Sequence, residues 1–228
     1  MAKKGIIIAI DGPAGSGKST VASLLARRYN YVNIETGAMY RALALKALQT
    51  GVSVDDEAAL AGLAGQSRIE LQARPDGNRV LLDGADVTER IRQQDITEAA
   101  SRVSVHPQVR AWMVRSQREL GAAGGVVMEG RDIGTQVFPH AEVKIFLDAD
   151  PEVRGTRRFL QNPTAHLPEK AAADLRERDH RDRTRANSPL VAAPDAVIID
   201  STHLTLDEVM AKAVEIVESH FKKTEIAL

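Results

Sequence analysis

No cysteine occurs among the 228 residues. That excludes disulfides, thiolate metal sites and cysteine nucleophiles, and it fits a reducing compartment. Neither sign of charge is in excess, because 30 Lys and Arg stand against 31 Asp and Glu. A general binder of nucleic acid or of an anionic membrane would carry a surplus of Lys and Arg, so no nucleic-acid partner and no membrane partner are expected. Long apolar runs are also missing. In "MAKKGIIIAIDG" the apolar stretch from Ile6 to Ile10 meets Asp11, too short for a secretory signal and far short of the roughly twenty residues of a membrane span. The default location is the cytoplasm and the default assembly a monomer. There is no internal repeat and no low-complexity tract. What remains is an ordinary globular composition, 43% hydrophobic and 27% charged, long enough for one or two domains.

Short apolar segments alternate with helical ones. "GIIIAID" (5–11), "GGVVMEG" (124–130), "EVKIFLDA" (142–149) and "DAVIID" (195–200) read as strands buried on both faces, with "YVNIE" (31–35) as a further strand. Helical spacing covers 18–30, 37–51 and 205–221. This alternation implies a parallel sheet with helices on both sides, an α/β fold of the P-loop type once its loop is considered. Residues 65–88 break the rhythm: "SRIELQA" alternates, "PDGN" makes a turn, and "RVLLDG" and "ADV" follow. That is a small antiparallel meander, half exposed. Helical segments are expected over about 88–103 and 107–122, Pro107 opening the second. The resulting division is a core of about 1–35, 104–150 and 190–228, an insertion over 36–103, a lid over 151–170 and an arginine-rich helix over 170–187.

"GPAGSGKS" (12–19) fits G-x-x-x-x-G-K-[ST] and lies between a buried strand and a helix start, where the mechanism of a phosphate loop requires it. Glycines let backbone N–H groups curl around phosphates, and the helix N-terminus adds partial positive charge. Lys18 is in reach of β and γ phosphates, and the Ser19 hydroxyl is a ligand for Mg²⁺. ATP or GTP with Mg²⁺ is the implied ligand. A guanine-reading N-K-x-D segment is absent.

Several arginines invite a second phosphate. "ETGAMYR" (35–41) sets Thr36, Gly37 and Arg41 at a helix start, although Thr36 also reads as a plain N-cap. Arg131 and Asp132 follow a buried strand in "MEGRDIGT", the position that faces the ligand crevice of an open α/β sheet; a loop salt bridge is the alternative. Arg154, Arg157 and Arg158 in "DPEVRGTRRF" suit a lid that closes over phosphates, or a solvated helix. In "LRERDHRDRTRAN" (175–187), Arg178, Arg181, Asp182 and Arg185 fall at i, i+3, i+4 and i+7 and form one stripe. Guanidiniums for phosphoryl oxygens and a carboxylate for sugar hydroxyls would serve a phosphorylated sugar; a salt-bridged surface face is the bland reading.

"GPAGSGKST", "TGAMYRA", "EGRDIGT", "FLDA" and "ERDHRDRTRANSPL" occur in the order and rough spacing of bacterial cytidylate kinases, and the chain resembles that family from about residue 5 to 222. The resemblance implies transfer of phosphate from ATP to CMP or dCMP on a parallel-sheet core with a monophosphate-binding insertion and a short lid. It implies that Gly12, Pro13, Ala14, Gly15, Ser16, Gly17, Lys18, Ser19 and Thr20 bind ATP, with Mg²⁺ at Ser19. It places Thr36, Arg41, Arg131, Arg178 and Arg185 around the CMP phosphate, with Tyr40 in the same set, and Asp182 on the sugar. Ser101, Arg110 and Asp132 become the cytosine readers: Arg110 donates to N3 and O2, while Asp132 and Ser101 accept from the amino group. Ser101 alone would pass for a polar helix position. Lys18, Arg131, Arg158 and Arg185 are the expected catalytic group. Glu35 and Glu129 stand where Asp is the family's choice or alternative. The rivals are another P-loop kinase of small molecules, and a P-loop regulatory or nucleic-acid-binding protein.

Overall fold

The computed structural model describes residues 5–74, 77–161 and 168–226. Pro75 and Asp76 of the expected turn, and residues 162–167 of the expected lid, lie outside the described residues. The chain divides into two compact units, one of residues 1–32 and 123–228 and the other of 33–122.

The first unit is built on strands β1 (Ile7–Asp11), β6 (Val126–Gly130), β7 (Val143–Asp148) and β8 (Val197–Asp200), while β2 (Val32–Glu35) belongs to the second unit from Asn33 onward. Within this unit the sheet order is β6-β1-β7-β8. β1 runs parallel to both β6 and β7, with Ile8 opposite Val127 and Val143. Apolar runs without alternation are what a sheet covered on both faces needs, and every residue of β6 is buried. β8 departs from the expected burial: Val197 and Ile198 are 46% and 63% exposed, because β8 is the edge strand and has a neighbour on one side only. Helices α1 (Lys18–Tyr29) and α8 (Leu206–Ile226) turn Val21, Leu25, Val209 and Val217 into one cluster with Ile8, Ile10, Ile145 and Leu147. Helices α6 (Pro151–Gln161) and α7 (Pro168–Thr184) complete this unit. A π-helical turn over Ile133–Val137, not anticipated from the sequence, follows β6.

The second unit holds α2 (Thr36–Thr50), α3 (Glu57–Gly65), the antiparallel strands β3 (Ile69–Arg74), β4 (Gly77–Leu82) and β5 (Ala85–Asp86), then α4 (Gln94–Val103) and α5 (Pro107–Gly121). The expected meander is there, with Leu71 opposite Val80 and Leu82 opposite Ala85. α3 was not read from the sequence, although Asp56 caps it by accepting from the Ala59 N–H at 3.0 Å, a start signal of the usual kind. Residues 104–122, expected with the phosphate-loop core, group by their contacts with the second unit. Val109 and Met113 of α5 are fully buried in the cluster that includes Leu43, Leu60 and Ile96, and Trp112 packs on it.

Candidate active site

The loop from β1 to α1 is shaped by positions that only glycine fits. Gly12, Gly15 and Gly17 have φ of +150°, +77° and +97°, and a Cβ on Gly12 would come within 2.0 Å of the Leu147 carbonyl oxygen. The loop delivers the chain to the N-terminus of α1, whose first N–H groups have no intrahelical acceptor and whose first turn carries no acidic residue. Lys18 is buried and folded back over the loop, donating from Nζ to the Pro13 carbonyl at 2.6 Å and to Ser16 Oγ at 3.4 Å. Burial, with the Arg131 guanidinium nearby, pushes Lys18 down to about 7, and Glu129 works in the opposite direction.

Ser19 and Thr20 are exposed at the helix start. Ser19 Oγ donates to Glu129 Oε1 at 2.8 Å. A hydroxyl and a carboxylate side by side are hard oxygen donors that fit Mg²⁺, a cation that takes few protein ligands and fills its shell with phosphate and water. Glu129 was not singled out for this from the sequence. Nor was Asp11. At the end of β1 its carboxylate accepts the N–H groups of Ile133 at 2.8 Å and Gly134 at 2.7 Å, which fixes the turn directly after Arg131 and Asp132. Burial pushes Asp11 up to about 7 in spite of those two donors.

A second cluster of the same unit centres on Asp182. Arg131 Nε donates to its Oδ2 at 2.9 Å. Arg185 lies 3.7 Å from its Oδ1 and 4.0 Å from Asp132 Oδ1, while Arg185 Nε donates to the Ser188 carbonyl at 2.6 Å. Burial alone would raise Asp182, but Arg131, Arg178 and Arg185 outweigh it and hold the carboxyl below the usual range. The expected stripe is therefore altered. Arg181 does not join it and sits 3.5 Å from Glu177, since neighbouring residues on a helix point about 100° apart and Arg181 precedes Asp182. Its place is taken by Arg131 from beyond β6.

Two arginines of α6, read from the sequence as suited to a lid or to a solvated helix, bond within the protein. Arg154 is buried, donating to the carbonyls of Ala149 at 2.8 Å and Ala14 at 3.0 Å and pairing with Asp179 at 2.5 Å. Arg157 binds the Ser201 hydroxyl at 3.0 Å and its carbonyl at 2.8 Å. Both are committed to protein partners; Arg158 is half-buried on the same helix.

In the second unit Glu35, not Thr36, is the N-cap of α2, and Thr36 is buried as its first residue. Glu35 forms an ion pair with Arg41. The Arg110 guanidinium lies 5.7 Å from the centroid of the Tyr40 ring and donates to the Ser104 carbonyl at 3.0 Å. Ser101 Oγ is buried with no hydrogen-bond partner among the described residues, the condition of a group built for a ligand. Asn78, expected as the last residue of the turn "PDGN", is instead buried in β4, and its side-chain partners lie 43 and 45 residues away.

Comparison with known proteins agrees with this chemistry. The family model "Cytidylate kinase" matches residues 8–219. A cytidylate kinase of Geobacillus thermodenitrificans is 54% identical over 215 residues, covering 93% of this chain and 96% of that one. One from Enterococcus faecalis is 53% identical over 209 residues, covering 90% and 92%. Among solved structures, an uncharacterized protein from Eubacterium ventriosum has a TM-score of 0.51 at 16% identity, covering 95% of this chain and 99% of that one, a likeness of fold. With the phosphate loop, the arginine cluster and a match along almost its whole length, the chain belongs to the cytidylate kinase family.

Proposed function

We propose that this protein transfers the terminal phosphoryl group of ATP to CMP or dCMP, giving ADP and CDP or dCDP. The observation that carries the reading is electrostatic: the buried lysine of the phosphate loop has Arg131 and Arg178 among its charged neighbours. One triphosphate does not need that many cations, whereas two polyanions that must approach each other do. An acceptor phosphate oxygen, already anionic at neutral pH, attacks the γ phosphorus in line while the bridging oxygen leaves with ADP. A general base is unnecessary, and positioning and charge stabilisation supply the catalysis. Mg²⁺, bound with ATP at Ser19, would neutralise part of the phosphate charge.

In this reading residues 12–20 hold ATP, with Lys18 on its β and γ phosphates. Thr36, Tyr40, Arg41, Arg131, Arg178 and Arg185 take the acceptor phosphate, Asp182 takes the sugar, and Ser101, Arg110 and Asp132 read cytosine. Lys18, Arg131, Arg158 and Arg185 face the transferring group. The unpartnered hydroxyl of Ser101 supports its part. Uracil would present N3–H and a carbonyl to the same readers and leave buried groups unpaired, which discriminates strongly. The net charge of −1 supports action on free nucleotides rather than on nucleic acid; no helix among the described residues is long and apolar enough to cross a membrane. We place the enzyme in the cytoplasm as a monomer.

The test is ADP release from Mg·ATP with CMP, dCMP, UMP, AMP and shikimate as separate acceptors, with products identified. Turnover on CMP and dCMP well above UMP and AMP is expected. Equal rates on CMP and UMP would end the base-reading assignment, and absence of any acceptor-dependent turnover would end the kinase reading.

A further inference from the structure

The reaction as proposed makes no use of the antiparallel meander, yet its middle strand carries a buried polar side chain with two long-range bonds. Asn78 of β4 is 4% exposed. Its Nδ2 donates to the Asn33 carbonyl at 2.8 Å, and its Oδ1 accepts the Glu35 N–H at 3.0 Å. One side-chain amide thereby imitates a strand neighbour for the backbone on both sides of Ile34. A buried amide with both ends satisfied fixes its partners in position, and removing it leaves an N–H and a C=O in need of new ones.

The backbone it fixes leads straight to a cation. Glu35 is the N-cap of α2, but its side chain makes no capping bond; it is engaged with Arg41, one turn into the helix. At Gly37 a Cβ would lie 3.2 Å from Arg41 Nη1, so the missing side chain lets the guanidinium lie close against the first turn. Asn78 sets the backbone of Glu35, the Glu35 carboxylate sets Arg41, and Gly37 leaves the room.

We infer that Asn78 is a positioning residue for phosphoryl transfer: it connects the meander, through Glu35, to the orientation of Arg41. This rests on the assignment of Arg41 to the acceptor phosphate. It gives the meander a task, that of holding the acceptor-side arginine in one geometry, and it predicts that strain in β4 is felt as a change in acceptor handling rather than in ATP handling.

The experiment is steady-state kinetics with CMP and ATP varied separately for Arg41→Ala, Asn78→Ala, Glu35→Gln and the double variant Asn78→Ala/Arg41→Ala, with thermal melting on each. Asn78→Ala is expected to raise the CMP KM about ten-fold, the scale of one buried hydrogen-bonding group, and to leave the ATP KM within about two-fold. Glu35→Gln, which keeps the backbone bond to Asn78 and breaks the ion pair, is expected to do the same with an unchanged melting temperature. In the Arg41→Ala background Asn78→Ala is expected to add little, because the two act in series. If Arg41→Ala raises the CMP KM but Glu35→Gln does not, or if the effects of Asn78→Ala and Arg41→Ala multiply, the inference is overturned while the assignment of Arg41 survives. If Arg41→Ala itself leaves the CMP KM unchanged, both fall together.

Discussion

Lys18 shows how much a single residue carries. Its ammonium lies in a loop that removes it from water, near Arg131, and so sits close to neutrality where a surface lysine would be fully charged. A triphosphate reverses that balance, since an anion beside the amine favours the protonated form. At pH 8, above the value of about 7, binding of Mg·ATP should take up a proton, and at pH 6, where the lysine is already charged, it should not. Calorimetry in two buffers of different ionisation heat measures the uptake; Lys18→Met should abolish the pH 8 component. The same substitution should lower kcat by about 10²- to 10³-fold, the usual scale for removing one transition-state donor. Equal proton uptake in wild type and Lys18→Met would mean that another group titrates.

Between α6 and α7 the decisive contact is Arg154 with Asp179. Arg154 also holds the carbonyl of Ala14, inside the phosphate loop, so this buried pair couples two helices to the ATP side of the unit. Breaking one partner of a buried ion pair typically costs about 3–5 kcal/mol, because the survivor is left uncompensated. Arg154→Met should show a loss of that size by urea denaturation, and Arg154→Met/Asp179→Leu should recover part of it. A lid residue would instead lose kcat with unchanged stability. This helix pair also marks the boundary of what was legible beforehand. The buried strands were readable because continuous apolar runs such as "GIIIAID" and "GGVVMEG" have one economical use, and the phosphate loop because its glycines and lysine have fixed spacing. Helical periodicity placed Arg178, Asp182 and Arg185 on one face, but could not say that Arg131 would supply the third guanidinium in place of Arg181. That choice depends on Asp11 pinning the turn after Asp132 from 122 and 123 residues away. The contacts of Arg154, Asn78 and Glu129 were hidden for the same reason: each side chain meets a partner distant in sequence.

At the scale of the whole molecule, charge is balanced overall and uneven locally. The chain sums to −1, yet three guanidiniums gather around Asp182. Such a distribution suits small polyanions and not an extended one. CMP or Mg·ATP at about one hundred times its Kd should stabilise the fold by about 2.7 kcal/mol, a rise of about 5–10 °C in Tm for a chain of this length. Single-stranded RNA under the same conditions should produce no shift. A shift with RNA that disappears steeply with salt would point to a backbone-binding surface instead.

The placement of Trp112 has a practical optical consequence. It is the one tryptophan in the sequence, and it packs on the core of the second unit, together with Leu43 and Met113. The indole emission of this protein is therefore a private channel for that unit. Light absorbed at the red edge, where tyrosine is dark, therefore reports from the unit that carries Arg41, Ser101 and Arg110, in a sample that needs neither tag nor label.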